Sequence, residues 1–299
     1  MADIMIWISS VVGAALIVGA LRDIFVTLWH PRGLGTISRG VFVVLWRGAH
    51  HAGRRGRLLG SVGPAGLVVT AGVWATMIVL GWALIYLPHM PDGFYFASAL
   101  RPSAASDPVM ALYLSLVTVG TLGFGDITPA YPALRLLIPL QALMGFVLFT
   151  AAISWVLQIY PALSRRRATA RRLVLLTATG TEQILPAAEA SIAVQWLDSV
   201  TESLITCELD LMQYGETYFF RESDADLSFA AALSYAPRLA AAGAGSSAVE
   251  VRRAAAILDE QTRRLAGRLD TGFLHTGGTV DEICERFADD HRHRPVSAS

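Results

Sequence analysis

Hydrophobic positions follow two different patterns along this chain, and the change between them divides it. Over the first 160 residues they form long runs, at residues 4–28, 67–87 and 133–160. About 20 apolar residues cross the hydrocarbon core of a bilayer, so each run predicts a spanning helix, the first and third with tilt. Only Arg22-Asp23, late in the first run, and Arg135, early in the third, interrupt them. A fourth run, residues 108–119, is too short to span. Beyond residue 180 apolar positions recur at helical spacing among acids, as at Ile192, Trp196, Val200, Leu204 and Leu211. That pattern predicts amphipathic helices over 182–220, 227–242 and 249–269, the last two separated by Gly-Ala-Gly-Ser-Ser, and a short helix over 281–290. The tail His-Arg-His-Arg-Pro-Val-Ser-Ala-Ser is expected to be disordered.

Composition agrees with a membrane protein: 54% hydrophobic and 16% charged, against about 25% charged in ordinary soluble domains. The net charge of zero conceals an asymmetry. Residues 1–172 hold 14 Arg and 5 Asp, and the remainder holds 10 Arg and 19 acids. An apolar, basic front half followed by a polar, acidic rear half implies a membrane region and then a soluble region. The first run opens Met-Ala-Asp with no basic stretch before it, so a retained span is expected and not a cleaved signal.

The arginines orient the spans. Arg32, Arg39, Arg47, Arg54, Arg55 and Arg57 lie between runs one and two; Arg165, Arg166, Arg167, Arg171 and Arg172 follow run three. Between runs two and three Asp92, Asp107 and Asp126 face a single Arg101. The positive-inside rule puts both Arg-rich segments in the cytoplasm, the N-terminus outside, the loop before run three outside, and the C-terminal half in the cytoplasm. Arg22 and Asp23 fall near the inner end of span one, where Arg can snorkel and Asp can pair with it or a neighbour. Residues 37–51, an apolar centre flanked by Arg, suit either a helix lying at the cytoplasmic interface or a simple connector.

The short run carries the chemistry. Asp107 can cap it and Pro108 fits a first helical position. It leads into Thr-Leu-Gly-Phe-Gly-Asp, where Gly123 and Gly125 stop the helix. Non-helical backbone at membrane depth is tolerated only when buried in protein or lining a water-filled path. Alternating glycines let successive carbonyls face one side, and rings of such oxygens can replace a cation's hydration shell. The C-terminal end of the short helix adds partial negative charge, and Asp126 adds a full one at the mouth.

At these residues, Ala-Leu-Tyr-x-Ser-x-x-Thr before Thr-Leu-Gly-Phe-Gly-Asp, the chain resembles the potassium channel pore-loop family, over roughly residues 64–161. The resemblance implies a potassium-selective channel that conducts K⁺ passively. Backbone carbonyls of Thr121, Leu122, Gly123 and Phe124 would hold the ions, the Thr121 hydroxyl would line the innermost site, and Gly125 would permit the outer turn. One chain supplies one filter strand, so a homotetramer is implied. Leu114 stands where family members often carry an aromatic, and Phe124 where Tyr is commoner, so no aromatic cuff hydrogen-bonded to the filter is expected. Gly120 replaces a second Thr.

The expected architecture is an all-α membrane protein: three transmembrane helices, a re-entrant pore helix and filter between the second and third, and a helical cytoplasmic C-terminal domain around a tetrameric pore. Residues 1–62 form an N-terminal span and connector, 63–161 the pore module, and 162–299 the cytoplasmic domain. Gly145, in Leu-Met-Gly-Phe-Val-Leu-Phe, is a candidate gating hinge with close helix packing as the equal alternative. No span repeats Arg every third position, so no voltage sensor is expected. Nucleotide and calcium motifs are missing, no catalytic set shares a frame, and the chain reads as a non-enzyme without cofactors beyond the transported K⁺. Cys207 and Cys284 read as buried free thiols, and His291 and His293 as an isolated pair. The expected partners are further copies of itself, the bilayer and a cytoplasmic regulator of the C-terminal domain, with no nucleic acid. A non-selective cation channel, or a membrane-anchored signalling protein with a vestigial pore, are the competing readings.

Overall fold

The computed structural model of the protein describes residues 2–30, 33–52, 57–97 and 106–294. Arg32, Arg54, Arg55 and Arg101, used above for orientation, and the tail residues 295–299 lie outside them. Helices dominate: α1 (Ala2–Trp29), α2 (Thr36–His51), α3 (Arg57–Tyr86), α4 (Asp107–Val119) and α5 (Pro132–Ala178). Then come α6 (Thr181–Ile184), α7 (Ala190–Gln213), α8 (Phe229–Ala232), α9 (Tyr235–Ala244), α10 (Val249–Leu269) and α11 (Val280–Asp290). Among the described residues one sheet occurs, an antiparallel pair of β1 (Phe94–Phe96) and β2 (Ile127–Pro129) with Tyr95 opposite Thr128. Within α1, α3 and α5 lie three segments long and apolar enough to cross a membrane, as expected.

Compact units do not follow chain order. One contains Met1–His30, Leu34–Val41 and Gly66–Leu157; the other contains Pro31–Gly33, Phe42–Ala65 and Gln158–Ser299. In the first, α1 and α3 touch through bare backbone: a Cβ on Gly81 would fall 2.7 Å from the Gly13 carbonyl oxygen. Small residues permit that approach where no hydrophobic drive exists between helices in lipid. Trp74 of α3 and Trp155 of α5 are buried with ring centroids 5.1 Å apart.

Asp23 is the polar centre of this unit. It is 4% exposed, and its carboxylate accepts from Ile37 N (2.8 Å), Ser38 N (3.1 Å), Ser38 Oγ (2.6 Å) and Trp74 Nε1 (2.9 Å). Its partners are thus neighbours on α2 and α3. Two of those donors are orphan amides of the first turn of α2, where the helix dipole favours negative charge.

In the second unit the helix that carries the third span continues well past residue 160, where the apolar run ends, because its continuation is amphipathic. The arginines there are occupied. Arg165 pairs with Asp210 (2.6 Å), Arg167 with Glu222 (2.7 Å) and Arg171 with Asp226 (3.0 Å). Arg166 donates to the backbone carbonyls of Thr217 and Phe220. The helix expected over 182–220 is broken at a 3₁₀ turn, Leu185–Ala187, since Pro186 has no N–H for a continuing ladder. It ends at Gln213 before a second turn, Gly215–Phe219. The helix expected over 227–242 is likewise split into α8 and α9. Helix α10 keeps its expected bounds, and α11 starts one residue early behind a capping box of Thr279 and Glu282.

Helix α2 buries its aromatic residues Phe42 and Trp46 in protein. Phe42 stacks on Phe219 at 5.4 Å, and Trp46 Nε1 donates to Asp290 Oδ2 at 3.0 Å. The described part of the tail is ordered. His291 is buried beside Trp46 and Tyr218, with Nε2 2.8 Å from the Tyr218 carbonyl, and His293 Nε2 lies 2.9 Å from the Glu222 carbonyl. Cys207 and Cys284 are free and buried, and burial pushes their thiols up to about 11 and about 12.

Candidate ion-conduction site

Helix α4 and the six residues after it form the site. Ser106 occupies the cap position with an extended backbone, so Asp107 is the first helical residue and Pro108 the second, one position later than the sequence suggests. The Asp107 carboxylate still lies in the first turn, where it opposes the helix dipole. Met110, Ala111, Leu114, Ser115, Val117 and Thr118 are buried, so one face of the helix is held by protein.

Its end is remade into the loop. Gly120 N donates to Leu116 O (2.9 Å), Thr121 N to Thr118 O (3.0 Å) and Leu122 N to Val117 O (2.9 Å). These bonds consume carbonyls that a helix terminus otherwise leaves orphaned. The backbone then alternates: Thr121, Gly123 and Gly125 have φ of 55°, 52° and 74°. The two glycines adopt this region at little cost. For Thr121, a β-branched residue, it is a strained conformation of the kind that clusters at functional sites. The sequence foretold the glycines but not this threonine.

A further support was missed. The Tyr113 hydroxyl donates to Asp126 Oδ2 at 2.5 Å, and Asp126 Oδ1 accepts from Ile127 N at 3.1 Å. Thus the loop's far end is tied back to the pore helix within one chain, although Leu114 and Phe124 supply no cuff. Tyr113 was visible in the motif; only folding shows that it spans 13 residues to reach Asp126. The sheet adds a second tie, because β2 follows directly after Asp126 and Ala97 N donates to the Asp126 carbonyl at 2.8 Å.

Gly145 lies inside the continuous helix α5 and meets the end of α4. A Cβ placed on it would fall 2.9 Å from the Val119 carbonyl carbon. This is the close helix packing named above as the alternative to a hinge. Among the described residues no group of three or more His, Cys, Asp or Glu side chains could hold a metal ion.

A short buried helix running into an alternating, strained, non-helical turn between two membrane-length helices defines a channel module in a membrane protein. Comparison with known proteins agrees. A family profile described as "Ion channel" matches residues 72–160. Over those residues the chain is similar to the ion channel family. It is 38% identical over 92 residues to "Two pore potassium channel c" of Oryza sativa subsp. japonica, covering 27% of this chain and 20% of that one. It is 27% identical over 168 residues to "Uncharacterized membrane protein YdjJ" of Bacillus subtilis (strain 168), covering 56% of this chain and 48% of the relative. The chain therefore spans about half or less of the length of these curated relatives. No solved structure matches.

Proposed function

We propose that this protein is a potassium-selective channel in which four copies surround one conduction path. The observation that carries the reading is the alternation of left-handed backbone at Thr121, Gly123 and Gly125 immediately beyond a buried pore helix. In this reading the carbonyls of Thr121, Leu122, Gly123 and Phe124 replace the hydration shell of K⁺. Gly125 makes the outer turn, and Asp126, held by Tyr113, sets negative charge at the mouth. Leu122 and Phe124 are 62% and 65% exposed in a single chain. Neighbouring copies around a shared axis cover such side chains, which supports a homotetramer. The N-terminus and pore mouth face outside and the second compact unit is cytoplasmic, where it receives whatever regulates opening. We read Gly145 as the contact between inner helix and pore helix, and not as the hinge.

Purified protein in liposomes tests this, with K⁺ and Na⁺ flux measured separately and Ba²⁺ added as a blocker. The expected result is K⁺ flux that Ba²⁺ stops, with Na⁺ flux far smaller. Equal fluxes establish a non-selective cation channel. Flux absent from protein shown to be tetrameric by cross-linking leaves a vestigial pore on a signalling protein.

A further inference from the structure

Against the pore helix lies a chain of buried polar groups outside the filter residues. Gln141 of α5, Ser115 of α4 and Tyr86 of α3 are all fully buried. Tyr86 donates its hydroxyl proton to Gln141 Oε1 at 2.6 Å. Gln141 Nε2 donates to the Ser115 carbonyl at 3.1 Å and to Ser115 Oγ at 2.8 Å. Ser115 Oγ in turn donates to the Val79 carbonyl at 2.7 Å. The amide orientation is forced, because the Ser115 carbonyl can only accept and must face nitrogen. One side chain therefore joins all three helices of the channel module, with its oxygen and nitrogen both bonded.

Register makes this more than local satisfaction. Gln141 and Gly145 are one turn apart on α5; Ser115 and Val119 are one turn apart on α4. Gln141 meets Ser115, and Gly145 meets Val119. A slide of α5 along α4 breaks the amide bonds and drives side chains into the Val119 backbone together. Between those two contacts sit Leu116, Val117 and Thr118, whose carbonyls hold Gly120, Thr121 and Leu122 of the loop.

We propose that Gln141 is a positioning residue for the pore loop: it fixes the axial register of the pore helix against the inner helix, and through that helix the placement of residues 120–122. Its effect on ion discrimination rests on the potassium-channel reading; its effect on the pore helix does not. An apolar residue at 141 leaves Tyr86 and the Ser115 carbonyl without their partner but removes nothing that contacts an ion.

Two variants of the full-length protein test it, Gln141→Leu and the milder Tyr86→Phe, which frees Gln141 Oε1. In liposomes the K⁺-to-Na⁺ flux ratio of Gln141→Leu is expected to fall about tenfold, the equivalent of one ordinary hydrogen bond. Tyr86→Phe is expected to fall in the same direction by less. Amide exchange of residues 116–122, followed by mass spectrometry, is expected to quicken in both, while exchange in α10 stays unchanged. Loss of selectivity without loss of tetramer separates positioning from mere destabilisation. A wild type that passes K⁺ and Na⁺ equally defeats the proposed function and leaves this inference to the exchange measurement. Unaltered exchange at 116–122 in either folded variant overturns it, as does an unaltered flux ratio in a selective wild type.

Discussion

Replacing Asp23 by Asn tests whether this buried carboxylate is a structural acceptor. Among the described residues, Oδ2 accepts from Ser38 N, Ser38 Oγ and Trp74 Nε1, and Oδ1 accepts from Ile37 N. Asparagine keeps the larger share by setting its single oxygen at the Oδ2 position. Its NH₂ then faces the Ile37 N–H, donor against donor. Leaving one buried donor unpaired costs about 1–3 kcal/mol, and the three remaining bonds lose their charge assistance. The expected penalty is about 2–3 kcal/mol for Asn and roughly twice that for Ala, which strands every donor. Helix α2 should feel it first. Amide exchange at Ile37 and Ser38, in protein held in detergent micelles, should quicken about 30-fold for Asn at ~1.4 kcal/mol per tenfold. Trp74 fluorescence should respond as well, since its indole loses a charged partner. Exchange at Ile37 within about twofold of wild type in both variants would refute the reasoning.

Tyr113→Phe should remove the tie to Asp126 and shorten open times in single-channel records. Arg166→Met takes the side-chain donor from the Phe220 carbonyl and from the Thr217 carbonyl, which keeps its bond from Phe220 N, and should cost about 1–3 kcal/mol in thermal unfolding. Arg165→Met, at a half-exposed pair with Asp210, should cost under about 1 kcal/mol; equal losses would contradict the distinction. Burial pulls His291 down to about 4 from its ordinary value of 6.5, despite Asp290 beside it. Because the folded value is depressed, its stabilisation is whole above pH 6.5 and is lost as pH falls through 4, by about 3 kcal/mol in all. Melting temperature should therefore drop across that window, and less so in His291→Phe.

Much of the channel module was legible in the sequence because its constraints are local or set by the bilayer. Lipid demands apolar runs of fixed length, so the three spans read directly from hydropathy. The 12-residue run before Thr-Leu-Gly-Phe-Gly-Asp was too short for anything but a helix ending inside, and Gly123 and Gly125 announced the left-handed backbone that φ values of 52° and 74° bear out. Helix α10 kept its bounds because its apolar period of 3.6 is unbroken from Val249 to Leu269.

Tertiary structure alone decided which polar groups meet. The sequence marked Asp23 as an intramembrane charge but could not choose among partners 14, 15 and 51 residues away. It showed Gln141 only as one amide in an apolar helix, and Gly145 as either bend or contact; the approach of Val119 favours contact. The arginines after the third span read only as positive charge, yet they lie on the same continuous helix, and Arg165, Arg166, Arg167 and Arg171 are bonded to acids and carbonyls more than 40 residues later. Hydrophobic period reports which side of an element faces away from water, and bilayer thickness reports its length. Neither carries the rotation and register of one helix against another, and those two quantities choose the partner of every buried polar side chain.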